Sequence, residues 1–136
     1  MTRTGASTDF ESAAEFRATL RRFLRVSEEA ARKNRLTPRQ HLLLLMIKGA
    51  PAGAERSTVS ELCERLQLAQ STVTELVQRA EEAGLVRRDA AADDGRVALL
   101  TLTPEGERRL AAVHVDLRLE REALAEVLRH LEPVTH

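Results

Sequence analysis

The side chains best suited to chemistry outside the chain lie between Gln70 and Arg79. Gln70, Ser71, Thr72, Thr74, Glu75, Gln78 and Arg79 fall on the outer side of a helical pattern whose inner positions are Val73, Leu76, Val77 and Ala80. Short hydroxyls and amides do little for solubility. They are, however, the groups that donate to and accept from base edges and phosphates. Glu75 is the odd member, because phosphate repels it unless it accepts from a cytosine amino group. A second candidate is Arg96, which follows Asp94-Gly95, a pair that favours the positive φ angles of a tight turn. That places a guanidinium at a hairpin tip, a position suited to a minor groove, with Asp94 steering it through a local hydrogen bond. The bland alternative is a solvated pair of Arg96 with Asp93 or Asp94, which is worth little. Arg87 and Arg88 are neighbours on a strand-like run and must face opposite ways. One can reach phosphate while the other pairs with a nearby carboxylate, and Arg88 is carried forward as the candidate.

Other chemistries have no support. The sequence has no glycine-rich phosphate loop and no GxSxG, and its paired carboxylates (Asp93-Asp94, Glu81-Glu82) are neighbours in exposed stretches. One cysteine, Cys63, and four scattered His give no disulfide and no metal-ligand spacing, so neither metal nor cofactor is expected. Cys63 falls on the inner side of a helix, where a buried structural thiol is the expectation rather than an oxidant sensor. No enzyme is expected.

The elements that position these residues can be read around Thr58–Leu102. Two short helical patterns, Val59–Leu66 and Gln70–Glu82, are joined by Gln67-Leu68-Ala69. A stop at Ala83-Gly84 follows, and then Leu85–Arg88 faces Val97–Leu102 across a polar loop. Helix, tight turn, helix and hairpin form the plan of a helix-turn-helix with a β-wing, and that plan points to DNA. Thr58-x-x-Glu61 is a capping box for the first of the two helices. Upstream, Thr37-Pro38 starts a helix over Arg39–Lys48 that is nearly all apolar in its middle, which places it at the centre of the domain. Residues Met1–Thr8 read as a frayed tail. A helix from about Asp9 to Lys33 follows, with Phe10, Ala13, Phe16, Leu20, Phe23 or Leu24, Ser27 and Ala30 on one face. Thr103-Pro104-Glu105 opens a long helix reaching Leu131, with Leu110, Leu117, Leu124 and Leu131 seven apart. Such a stripe exceeds what a small core needs and suits packing against a second chain.

Composition sets the bounds. The 136 residues suffice for one domain with its own core, and with three Phe, no Tyr and no Trp that core must be Leu, Val and Ala, which suits packed helices. Recognition by base stacking on aromatic side chains is disfavoured for the same reason. Formal charge is zero, yet 19 of the 21 basic residues are Arg, the side chain suited to phosphate and guanine; a GC-rich genome explains the same bias. No apolar run approaches the ~18 residues of a membrane helix, and the N-terminus lacks the apolar core of a signal peptide, so a cytoplasmic protein is expected.

With these residues in view, the sequence resembles the MarR family of winged helix-turn-helix transcriptional regulators. The resemblance is carried by Leu36-Thr37, Thr58-Val59-Ser60-Glu61-Leu62, Glu64-Arg65-Leu66, Ser71-Thr72-Val73-Thr74, Leu76-Val77, Glu82-Ala83-Gly84-Leu85-Val86, Asp94-Gly95-Arg96 and Leu102-Thr103-Pro104-Glu105-Gly106. It implies a mainly α fold with a small β-wing, in one domain over 1–136. Residues 36–103 would form the DNA-binding lobe, and helices 9–35 and 104–131 the homodimer contacts. It further implies that helix 70–82 enters the major groove of a pseudo-palindromic duplex while the wing, 85–102, meets the minor groove. Gln70, Ser71, Thr72, Thr74, Gln78, Arg79, Arg88 and Arg96 are then the DNA-binding candidates, with Asp94 and Gly95 as the wing turn. Family members often respond to small phenolic or lipophilic ligands, so an aromatic or lipophilic effector is implied, with His41 and Arg39 as candidate pocket residues. His114, like His41, is by default a core or interface histidine. Two departures stand out. Ala69 occupies the place of a capping Ser, and Asp89, Asp93 and Asp94 make the wing acidic, which points to modest affinity with strong salt dependence. A winged-helix module that binds another protein instead of DNA is the alternative.

Overall fold

The computed structural model describes residues 5–90 and 97–131. The elements run α1 (Gly5–Lys33), α2 (Pro38–Lys48), a 3-10 turn (Pro51–Gly53), α3 (Val59–Leu66), α4 (Gln70–Glu82), β1 (Val86–Ala90), β2 (Ala98–Leu102), α5 (Pro104–Asp116) and α6 (Arg118–Arg129). The fold is mainly α with a two-stranded antiparallel wing. Of the tail expected over 1–8, residues from Gly5 on are helical, since α1 starts there.

Local signals set the lobe's boundaries. Thr37 and Gln40 form a reciprocal capping box at the start of α2, with Pro38 in the first turn. Thr58 and Glu61 do the same for α3. Gln67 closes α3 in the left-handed region at φ 56°, and its backbone, with Leu68, turns the chain into α4 within three residues. Gly84 at φ 75° ends the α4 segment where a Cβ would be strained.

Helix α2 lies at the centre, packed on α1, α3, α4, α5 and β2. Its Leu43, Leu44 and Ile47 are fully buried with Leu62 of α3, Val73, Val77 and Ala80 of α4, Leu85, and Leu100 of β2. Burying each of these Leu, Ile and Val side chains supplies about 1.5–3 kcal/mol, which outweighs the poor intrinsic stability of helices as short as α3.

The strands are bounded differently than expected, the first starting and ending later and the second one residue shorter, and they pair Val86 with Leu102 through Ala90 with Ala98. A contact not foreseen from the sequence extends the wing: Ser57 bridges Leu100 on the other edge of β2, with Ser57 N–H donating to the Leu100 carbonyl at 3.1 Å and Leu100 N–H to the Ser57 carbonyl at 2.8 Å. Ser57 is almost fully buried. The loop Ala50–Ser57 therefore ends as a one-residue third strand.

The single long C-terminal helix is a further correction. It breaks at Leu117, whose φ −98° and ψ 7° leave helical geometry, and α6 sets off separately. Arg121 sends its guanidinium back to the His114 carbonyl, capping an acceptor at the break. A side chain inserted into the carbonyl ladder is a recognised cause of a kink. The heptad stripe is buried only as far as the break: Leu110, Val113 and Leu117 are core, whereas Leu124, Val127 and Leu131 are half-buried.

The face expected on α1 is likewise only partly covered by its own chain. Ser27, Ala30 and Ala31 are buried, as is Thr19, but Phe10 is 76% exposed and Leu24 is 49% exposed. On α5 and α6, Val115 is 70% and Leu119 66% exposed. Apolar side chains of this size are left in water along both flanking helices.

Candidate nucleic-acid interface

Helix α4 divides cleanly. Val73, Val77 and Ala80 point into the core, while Gln70, Ser71, Thr74, Glu75, Gln78 and Arg79 are exposed and Thr72 is half-buried. Gln70, Ser71, Thr74, Glu75 and Gln78 line one shallow depression on the outer surface. The candidates from the sequence thus form one continuous face. At its start Ala69 adopts the extended backbone of an N-cap but supplies no side-chain cap to the first amides of α4. Such amides at the positive end of a helix dipole favour an anion.

Charge on this face is paired. Arg79 and Glu75, one turn apart, make an ion pair at 2.7 Å with both side chains largely exposed. Arg88 on β1 is drawn back to Glu81 of α4 at 2.9 Å, and this bond holds its guanidinium all the more firmly protonated. Arg87, facing the other way, meets Asp89 at a looser 3.5 Å and is more exposed. Of the two neighbours, Arg88 fastens the wing to α4, and Arg87 is the freer cation. Asp94, Gly95 and Arg96 lie outside the described residues.

The structure turns Arg39 and His41, grouped together in the sequence, to different sides of α2. Two residues apart on a helix, they face different ways. Arg39 is exposed and lines a groove with Thr37, Gln40, Thr72, Glu75, Leu76 and Arg79. His41 is buried toward α5, and burial, then the nearby His114, lowers its pKa below the usual histidine value. Arg39 is thus a basic neighbour of α4 that the linear pattern missed, because the turn Thr37-Pro38 brings it there in space only. Cys63 is half-buried rather than buried.

Several bonds hold the face in position. Arg65 of α3 donates to the Met46 carbonyl of α2 at 3.0 Å. Lys48, at the end of α2, binds both Glu55 of the loop and Glu107 of α5, the latter at 2.9 Å, and the two carboxylates raise its pKa. Thr103 is the pivot of the motif after the wing: its hydroxyl donates to the Gly84 carbonyl at 2.6 Å and accepts from Gly106 N–H at 3.1 Å, and its own N–H reaches the Leu85 carbonyl at 3.0 Å. The start of α5 is thereby fixed to the end of α4.

Residues 36–97, which include this face and β1 and end one residue short of β2, match the model of the MarR family. The whole chain shares the MarR fold. It is similar to YusO from Bacillus subtilis, at 25% identity and a TM-score of 0.62 over 96% of this chain and 87% of that one. AbsC, a MarR family transcriptional regulator from Streptomyces coelicolor, superposes with a TM-score of 0.69 at 21% identity, over 97% of this chain and 95% of its own. A mutant MarR from E. coli complexed with operator DNA superposes at 0.65 and 20% identity, over 96% of this chain and 89% of the other. No curated protein sequence matches the chain. Among the described residues, no helix is long and apolar enough to cross a membrane.

Proposed function

We propose that this MarR-type protein is a sequence-specific, DNA-binding transcriptional regulator that acts as a homodimer on a pseudo-palindromic operator. One observation carries the reading. Helix α4 buries Val73, Val77 and Ala80 completely and keeps its hydroxyl, amide and guanidinium side open. In the major groove, Gln70, Ser71, Thr74 and Gln78 contact base edges, the uncapped amides after Ala69 receive a phosphate, and Arg79 and Arg39 flank the helix with positive charge. Arg96 at the wing tip enters the minor groove.

Segments 9–35 and 104–131 serve as dimerisation helices around the lobe 36–103. The exposed Phe10, Leu24, Val115 and Leu119 support this, since a second copy removes them from water. Two α4 helices then sit about one DNA turn apart, roughly 10 base pairs between half-site centres. Response to a small aromatic or lipophilic effector rests on the family resemblance; its place would be the α2–α5 junction at His41, not the groove at Arg39.

A mobility-shift titration on a random duplex at two salt concentrations tests the reading. Affinity should fall steeply with salt, because neutralising each phosphate releases counter-ions. Flat or absent binding would favour the protein-interaction module instead.

A further inference from the structure

Glu75 has no obvious reason to sit where it does. Among the described residues it is the only charged one lining the shallow depression of α4, between Thr74 and Gln78, in the middle of the surface that the proposed function aims at a groove. It does not serve the core, being 63% exposed at the side chain, and its ion-pair partner is Arg79 on the same helix, at 2.7 Å. The cations nearby, Arg79 and Arg39, stand to one side of it, along the groove lined by Thr37 and Thr72.

An ionised carboxylate can only accept hydrogen bonds. In a major groove it therefore meets repulsion from guanine O6 and N7 and from thymine O4. Adenine offers its N6 donor beside the N7 acceptor, whereas cytosine offers N4 donors without that neighbour. Arg79 has the opposite preference, for guanine O6 and N7. Four residues, just over one helical turn, separate the two, a rise of about 6 Å, against about 3.4 Å between stacked base pairs. A guanidinium has five N–H donors, so Arg79 can keep its contact with Glu75 and still present a fork to a base.

We propose that Glu75 is a base-selecting residue, which with Arg79 as its fixed counter-ion admits half-sites that place a cytosine amino group before it and a guanine within reach of Arg79. The inference rests on the DNA-binding reading above. Glu75 acts mainly by exclusion. Sequences that set an acceptor before it are rejected, and affinity for random duplex is held down.

The test is selection of bound duplexes from a random pool by the wild-type protein, Glu75→Gln, Glu75→Ala and Arg79→Lys, at one salt concentration. Both Glu75 variants change an exposed side chain and should unfold at the wild-type temperature. The wild type should enrich cytosine at one position of each half-site, with guanine at a neighbouring pair. Glu75→Gln should move that one position toward adenine, Glu75→Ala should make it indifferent, and both should bind random duplex more tightly by several-fold. Arg79→Lys should lose the guanine by about tenfold, since a lysine cannot make the bidentate contact. A cytosine preference unchanged in both Glu75 variants would overturn the proposal while leaving the regulator reading in place. A uniform loss of affinity at every position would also overturn it, as the mark of a merely structural residue. Absence of salt-sensitive binding by the wild type would sink both.

Discussion

Gly106, in the first turn of α5, approaches Leu85 so closely that a Cβ at position 106 would lie 2.2 Å from the Leu85 carbonyl oxygen. That carbonyl also accepts from Thr103 N–H, so withdrawing it would strain or break this bond. Two effects oppose each other in Gly106→Ala. Helix propensity favours Ala by about 1 kcal/mol, while overpacking against a fixed backbone costs about 1–3 kcal/mol or more. The clash should win. Denaturant unfolding should show a lower midpoint, and a raised one would mean that α5 can slide off the wing.

Ala69→Ser is expected to act in the other direction. The backbone at 69, φ −65° and ψ 152°, already has the extended shape of an N-cap and lacks only the oxygen. Supplying it should stabilise the protein by about 0.5–1 kcal/mol, read as a higher thermal midpoint. No change would show that Ser71 or water already satisfies those amides.

Acid should loosen the lobe through His41. Its folded pKa is depressed, chiefly by burial and secondarily by His114, so the neutral form belongs to the native state. Between the depressed value and the unfolded value of about 6.5, the unfolded chain binds the extra proton, and stability therefore rises with pH. The contribution is complete above that unfolded value and is lost as pH falls through the folded one. Stability measured from pH 7.5 to 5 should decline less steeply in His41→Gln than in the wild type; equal slopes would assign the decline to other groups.

Self-association should depend on Leu119, which is 66% exposed on α6. Leu119→Glu leaves the intrachain core untouched, so helicity should persist while the sedimentation coefficient drops toward that of a monomer. A variant that stays dimeric would move the contact elsewhere on α1 or α5.

For the wing, Arg96→Ala should weaken operator binding by about tenfold or more without altering the unfolding midpoint. Arg87→Ala should weaken it more uniformly across sequences than Arg88→Ala, since Arg88 is committed to Glu81 at 2.9 Å. Unchanged affinity in Arg96→Ala at physiological salt would remove the wing tip from the mechanism.

The lobe was legible because its signals are local. Thr37-Pro38, Thr58-x-x-Glu61 and Ala83-Gly84 each set a helix end within their own few residues, and the α4 face followed from a 3.6-residue period. What escaped depends on partners distant in sequence. Position 117 looks like any heptad leucine, and nothing in its neighbours announces that Arg121 will reach back to His114. Arg39 and His41 look like one cluster in a string of letters and become two sites once a helix turns them apart. Phe10 satisfies the apolar period of α1 yet stays 76% exposed.

The bridge between Ser57 and Leu100 bears on solubility as well as on architecture. Leu100 sits at the middle of β2 and gives both its backbone groups to Ser57, so the outer margin of that strand is interrupted at its centre. The opposite margin, β1, carries Arg87, Arg88 and Asp89. One side is stoppered and the other charged, and strands protected in these two ways resist the sheet-to-sheet stacking by which small β-elements aggregate.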